Sequence, residues 1–377
     1  MLHLISSSFN KEKTLLKKIL HKKFLLFGIF SLFLISAYLF YEKKHYNVQE
    51  TIEDCIQNML PKKESIIKIE KMKGGCSNYI WQVHTESNCY ILREKNKRTS
   101  ASAFAKDLEM TKQAALYAIG PQLIGVNKHK QQMLLEYIDH VSWPPYEEND
   151  KPYKASMQTL KSFHEKMPAA LRIDQKFRYF PFSGILSIGN RLEKAGVVPT
   201  RFSEALLQID AIFKELLPWL KKNATLCHGD FCKQNVLLSR NLTPILIDFD
   251  STSIGDPLLD VAKFSLQLST PHRLELFKTY LGGRNPTLEE ERHFELIDRS
   301  LLMLVAAVRF QSVQNMKSSS PEKLSTSEMD IILNSKQPLP SFLDVPFEDG
   351  SYKARQLGAL YALAEFLKRN DLSFQLK

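Results

Sequence analysis

Apolar residues are distributed along this chain in three regimes: one unbroken run near the start, short strand-like stretches, then helical periods. The short stretches Ile66–Ile69, Tyr79–Val83, Cys89–Arg93 and Leu134–Ile138 each have the length and flanking turns of a strand. Val236–Leu238 and Ile245–Ile247 repeat the pattern around a polar turn at Ser239–Thr243, which predicts a β-hairpin. Helical spacing predicts helices over about 102–117, 201–222, 274–281, 288–312 and 352–369, and one ending at His164. Residues 46–64 read as a linker merging into an amphipathic helix. The stretch 316–346, rich in Ser, Pro and Lys, predicts a mobile loop, either a lid or plain surface. The chain carries no internal repeat.

The unbroken run is Phe24–Tyr41, eighteen residues without a charge, at the lower edge of what a membrane-spanning helix needs. Tyr38 and Tyr41 suit a membrane interface, and no small-x-small cleavage site precedes Glu42. A retained single-pass anchor is therefore expected, ahead of a cleaved signal peptide or an amphipathic arm. Six lysines (11, 13, 17, 18, 22 and 23) precede the run, against Lys43 and Lys44 after it. That asymmetry alone places the amino terminus in the cytosol and the remainder across the membrane. The chemistry below argues the other way, for a cytoplasmic catalytic portion.

Composition narrows the class only modestly. A hydrophobic content of 44% can fill a large core, and the net charge of +10 lies partly in the basic tail. No nucleic-acid motif accompanies that charge, so none is expected as a partner. The cysteines at 55, 76, 89, 227 and 232 are odd in number and lack metal-ligand spacing, which reads as reduced thiols.

The chemistry concentrates in His228-Gly229-Asp230-Phe231-Cys232-Lys233-Gln234-Asn235 and Ile247-Asp248-Phe249-Asp250. Transfer of a phosphoryl group from a metal-bound nucleotide needs one carboxylate to orient a hydroxyl and oxygens to hold the metal. The predicted hairpin brings Asn235 and Asp248 to one end, where they can share a cation. Asp230 is the candidate catalytic carboxylate. Asp250 would share a strand face with Asp248 if that strand continued.

These motifs, with Gly255-Asp256-Pro257-Leu258-Leu259-Asp260 downstream, resemble those of the aminoglycoside phosphotransferase and choline kinase superfamily. Only Val261 departs from the family's final motif. The resemblance implies an α+β, two-lobed protein-kinase-like fold, with a small antiparallel-sheet N-lobe and a larger, mostly helical C-lobe. The expected organisation is a basic tail (1–23), an anchoring hydrophobic helix (24–41), a linker and helix (42–64), an N-lobe (65–139) and a C-lobe (140–377). ATP and Mg2+ are the implied cofactors, with Asn235 and Asp248 holding the metal. His-Gly-Asp in place of His-Arg-Asp, and the lack of Asp-Phe-Gly, disfavour a protein kinase.

Lys73-Gly74-Gly75-Cys76-Ser77-Asn78 resembles the family's nucleotide loop. Bare glycine backbone can approach phosphates there, with Gly74, Gly75, Ser77 and Asn78 as the candidates. The resemblance puts the phosphate-contacting base at Arg93, paired with an acid of the following helix. Asp107 is the first choice for that acid, with Glu109 as the rival. Glu136 falls at the hinge, where backbone groups would meet adenine.

The implied activity is ATP-dependent phosphorylation of a small hydroxylated, cationic molecule, an amino-alcohol such as choline or ethanolamine, or thiamine. Trp143, Phe249 and Phe310 are candidate aromatics for a cation, and Asp250 and Asp298 candidate acids. Ser251-Thr252-Ser253 stands where choline kinases often carry an aromatic. Aminoglycoside phosphorylation is the alternative enzyme reading, and a membrane-tethered, non-catalytic kinase-like binding protein is the alternative outside enzymes.

Overall fold

The structure is a computed structural model that describes residues 52–60, 64–72, 78–96, 99–170, 181–316, 323–335, 337–345 and 351–373. The expected anchor, the basic tail and Gly74, Gly75 and Ser77 of the nucleotide loop lie outside the described residues. Among the described residues, no helix is long and apolar enough to cross a membrane. The chain divides into two compact units, residues 1–94 with 124–134, and residues 95–123 with 135–377.

The first unit is built on a sheet. A short helix, α1 (52–59), precedes β1 (Ile66–Lys71), β2 (Asn78–Thr85) and β3 (Cys89–Lys95). With β4 (Leu123–Asn127) and β5 (Gln132–Glu136) they form a five-stranded sheet of order β1-β2-β3-β5-β4. The hairpin of β1 and β2 is antiparallel, pairing Ile69 with Val83 and Lys71 with Trp81. Ile56, Met59, Val83, Leu92 and Leu134 form its apolar core. Gly125 permits the close approach of α1: a Cβ there would sit 2.4 Å from the Met59 carbonyl oxygen. Glu64 ties the base of the unit together, accepting from the Thr85 hydroxyl at 2.6 Å and the Asn88 amide at 3.1 Å.

The second unit is mostly helical. Helix α2 (Ala101–Leu116) starts where the Ser100 hydroxyl accepts the Ala103 N–H. It ends as Ala118 turns left-handed before Ile119-Gly120. After β6 (His140–Val141) come α3 (Lys151–Ala170), α4 (Phe182–Lys194) and α5 (Phe202–Asn223). Then follow β7 (Thr225–Cys227), β8 (Val236–Ser239), β9 (Pro244–Leu246) and β10 (Ser253–Gly255). Strands β6, β8 and β9 form one small sheet, and β7 pairs with β10 in another. Helix α6 (Pro257–Ser265) is capped by Asp256, whose carboxylate accepts the Leu258 N–H. Helices α7 (Thr270–Tyr280), α8 (Leu288–Asn315), α9 (Thr326–Leu333) and α10 (Tyr352–Ser373) complete the unit.

Helix α8 is the spine of this unit, packing against α4, α5, α6 and α10. Burying Ile297 and Leu301 as well as Leu302, Ala306 and Phe310 demands a helix apolar on more than one face. Helix α9 corrects the expectation of a bare loop over 316–346. Ser325 and Glu328 form a reciprocal capping box that starts it, and Met329 and Leu333 turn inward. The described cysteines 55, 89, 227 and 232 are free thiols.

Candidate active site

The strand β7 delivers His228-Gly229-Asp230 from the core of the second unit. Cys227 pairs with Ser253 of β10, and the chain must turn sharply straight afterwards. Gly229 makes that turn at φ +79°, with the Ser251 carbonyl oxygen only 2.4 Å from where a Cβ would stand. No other residue fits both conditions. Phe231 then dives into the core and stacks on Phe264 of α6 at 4.9 Å between ring centres.

The loop continues as a single 3-10 turn, Lys233–Asn235. The Trp143 indole N–H backs it, donating to the carbonyls of Lys233 (3.2 Å) and Val236 (3.1 Å). The Lys233 ammonium lies over the Tyr153 ring, and burial pushes its pKa below the usual lysine value. Asn235 folds back on the Asp230 carboxylate. Its amide Nδ2 donates to both the carbonyl and the Oδ2 of Asp230, each at 2.9 Å. That use of Nδ2 leaves the amide oxygen of Asn235 as the atom suited to a cation.

Strands β8 and β9 form the expected hairpin, with Val236 opposite Leu246. The Ile247 N–H donates to the Asn235 carbonyl at 3.0 Å, so Asp248 follows at the same end as Asn235. Asp248 itself is left-handed, at φ 64° and ψ 68°. Such a conformation costs about 1–3 kcal/mol outside glycine and persists only when its surroundings impose it. Here the preceding residue is clamped from both sides, because the Ile247 carbonyl also accepts from His228 Nε2 at 3.0 Å. The strand therefore ends at Leu246, and Phe249–Ser251 forms a 3-10 turn. This corrects the idea that Asp250 shares a strand face with Asp248.

Two buried groups hold the loop from behind. The Asp260 carboxylate accepts the backbone N–H groups of His228 (2.7 Å) and Gly229 (2.9 Å), and meets His164 Nε2 at 3.1 Å. Burial alone would raise its pKa, but the His164 hydrogen bond and nearby positive charge outweigh it and hold it below the usual value. Burial lowers the pKa of His228, which therefore sits neutral. Its Nε2 carries the proton toward Ile247, and Nδ1 accepts from the Asp230 N–H at 3.4 Å. Cys227 lies beside His164 and Asp260, a set whose chemistry could bind a metal. Hydrogen bonds already engage its His and Asp, which makes it a brace for the loop.

Of the remaining sequence candidates, Asn78 opens β2 and Arg93 is a buried residue of β3, both in the first unit. Asp107 lies fully buried on α2, and its carboxylate pairs with Lys95 at 2.8 Å. Sequence reasoning passed over Lys95, which is 2% exposed and also pairs with Asp250. Its only signal was strand alternation, which puts residues 93 and 95 on one face. Glu109 instead accepts from Gln113 on its own helix. Glu136 ends β5, where its carboxylate accepts the Gln122 N–H at 2.8 Å. Lys263 was also missed; its ammonium lies 3.4 Å from Asp230 Oδ1.

The proposed cation cage needs correction. Phe249 and Phe310 are about 1% exposed, the first stacked on Phe163 and the second set edge-on to Phe202. Asp298 is committed to Arg273 and Arg369. The Trp143 indole N–H is taken by the carbonyls of Lys233 and Val236. These residues cannot surround a substrate cation.

The phosphotransferase enzyme family known as APH matches residues 68–294. A human protein, acyl-CoA dehydrogenase family member 11, is 24% identical over 257 residues, covering 60% of this chain and 32% of that one. The chain thus spans about a third of the length of that curated relative. Among solved structures, choline kinase LicA from Streptococcus pneumoniae superposes with a TM-score of 0.56 at 14% identity, covering 85% of this chain and 99% of that one. LicA is also known in complex with AMP. A choline/ethanolamine kinase family protein from Mesorhizobium loti gives 0.54 at 15% identity, covering 78% and 92%.

Proposed function

We propose that this chain, which belongs to the APH phosphotransferase enzyme family, is a small-molecule kinase. It transfers the γ-phosphoryl group of ATP to the hydroxyl of a small molecule, with Asp230 as the carboxylate that receives the hydroxyl proton. The observation that supports this reading is the bond from Asn235 to Asp230 at the hairpin end, where Asp248 directly follows the Ile247 that bonds Asn235, with His228 and Asp260 holding the loop. The acceptor oxygen forms a bond to the γ-phosphorus, the bond to the bridging oxygen breaks, and ADP leaves. The proton passes to Asp230 and then to solvent. The Asn235 amide oxygen and the Asp248 carboxylate are hard oxygen donors of the kind Mg2+ takes, and they would hold it. When bound, Mg2+ supplies positive charge to the phosphate oxygens.

For the acceptor, an amino-alcohol such as choline or ethanolamine, or thiamine, is the first reading. It is supported by the Gly-Gly-Cys-Ser-Asn loop and by the fold shared with LicA. An aminoglycoside is the second. The run 24–41 would attach the enzyme to a membrane with its catalytic portion in the cytoplasm. Full-length protein given Mg2+ and ATP with choline, ethanolamine, thiamine or kanamycin should release ADP with one of them, and not after EDTA. A folded chain that binds ATP yet turns over none of them would favour a binding protein instead.

A further inference from the structure

Helix α6 presents two opposite charges to the catalytic loop from one face. Asp260 and Lys263 are three residues apart, the spacing that aligns side chains along a helix. Asp260 takes the backbone N–H groups of His228 and Gly229. Lys263 takes the complementary groups: its ammonium donates to the Gly229 carbonyl at 2.6 Å and stands 3.4 Å from Asp230 Oδ1. The lysine side chain is 16% exposed, whereas the Asp230 side chain is 50% exposed. The covered end of the carboxylate therefore belongs to α6, and its open edge to whatever approaches.

Both oxygens of Asp230 are thereby fixed. Oδ2 is held by Asn235 and Oδ1 faces Lys263, so the carboxylate plane cannot rotate freely. An acceptor hydroxyl must come within about 3 Å of one of these oxygens to give up its proton. An approach to Oδ1 places the ammonium within roughly 6 Å of the attacking oxygen.

We infer that Lys263 is a positioning residue of the phosphoryl-transfer centre, fixing the carboxylate of Asp230 against the acceptor and offsetting charge beside it. The inference rests on the proposed kinase activity. No atom of Lys263 enters the balance of the reaction. Its contribution is to orientation and to the local field, so it should register in kcat and leave ATP binding largely untouched.

The test uses the full chain as wild type, Lys263→Met, Lys263→Arg and Lys263→Ala. ADP release from Mg2+–ATP is followed with choline, ethanolamine, thiamine and kanamycin, and thermal unfolding is recorded alongside. Lys263→Met should lower kcat about 100-fold, the size expected for losing one preorganised charge donor. Its KM for ATP should stay within about threefold, and its unfolding midpoint above the assay temperature. Lys263→Arg should recover kcat to within about tenfold of wild type, since it keeps charge and donors. Ethylammonium added to Lys263→Ala should restore part of the lost rate. Lys263→Met with wild-type kcat overturns the inference. So does a loss that tracks unfolding and that neither arginine nor ethylammonium relieves. A wild-type chain releasing no ADP overturns the proposed activity itself and the inference with it, a result distinct from an active Lys263→Met.

Discussion

Asn235 grips Asp230 twice through one nitrogen, with Nδ2 2.9 Å from both the backbone carbonyl and the carboxylate Oδ2. The two residues therefore move as one unit, and the carboxylate is aimed by the same amide that would present its oxygen to a metal. Replacing Asp230 by Asn keeps the shape but removes the proposed proton acceptor. Turnover should fall about 10²- to 10⁴-fold while ATP affinity, measured by calorimetry, changes little. Near-normal turnover in Asp230→Asn would remove it from the chemistry.

Gly229 carries the tightest backbone approach in the loop. Alanine there must adopt φ +79° and place a methyl group 2.4 Å from the Ser251 carbonyl. Gly229→Ala should cost about 1–3 kcal/mol of stability through strain and overpacking, read from urea unfolding. An alanine variant as stable as wild type would show that the turn relaxes.

Lys95 joins two acids, fully buried Asp107 and partly exposed Asp250, through an ammonium that is itself 2% exposed. Cutting one member from such a group leaves uncompensated charge. Lys95→Met should destabilise the chain by about 3–5 kcal/mol. The double variant Lys95→Met/Asp107→Leu should recover part of that loss. Additive single effects in this cycle would show that the pair is not coupled.

The buried neutral His228 makes stability depend on pH in a defined direction. Its folded pKa is lowered by burial from an ordinary 6.5, so only the unfolded chain takes up this proton at first. The contribution is fully present above pH 6.5 and is lost as pH falls from there through the lower folded value. The slope from this one group is at most about 1.4 kcal/mol per pH unit. His228→Gln should flatten the stability curve below pH 6.5. Curves that run parallel would mean that His228 binds its proton equally in the folded and unfolded chain.

Much of the active region was legible because its signals are local. The apolar pairs around Ser239–Thr243 specify the hairpin, and its register follows from the chain's own turn. Helix α2 lies within a residue of its predicted ends, since Ser100 caps it and Gly120-Pro121 stops it. What escaped depends on distant partners. Asp248 turns left-handed because Asn235 and His228 clamp the residue before it, which diverts Asp250 toward Lys95. Phe310 and Phe249 look like cage aromatics in sequence, but neighbouring helices bury them. Helix α9 was the avoidable omission, for Ser325 and Glu328 already stood at capping-box spacing in a polar stretch.

The indole of Trp143 gives the enzyme a built-in optical probe. Only three tryptophans occur, and Trp219 is stacked on His293 at 3.8 Å, a neighbour that dampens emission. Trp81 reports on the β-sheet unit. Any rearrangement of residues 233–236 must break or lengthen the bonds that Trp143 makes to two of their carbonyls, and fluorescence would register it without a label.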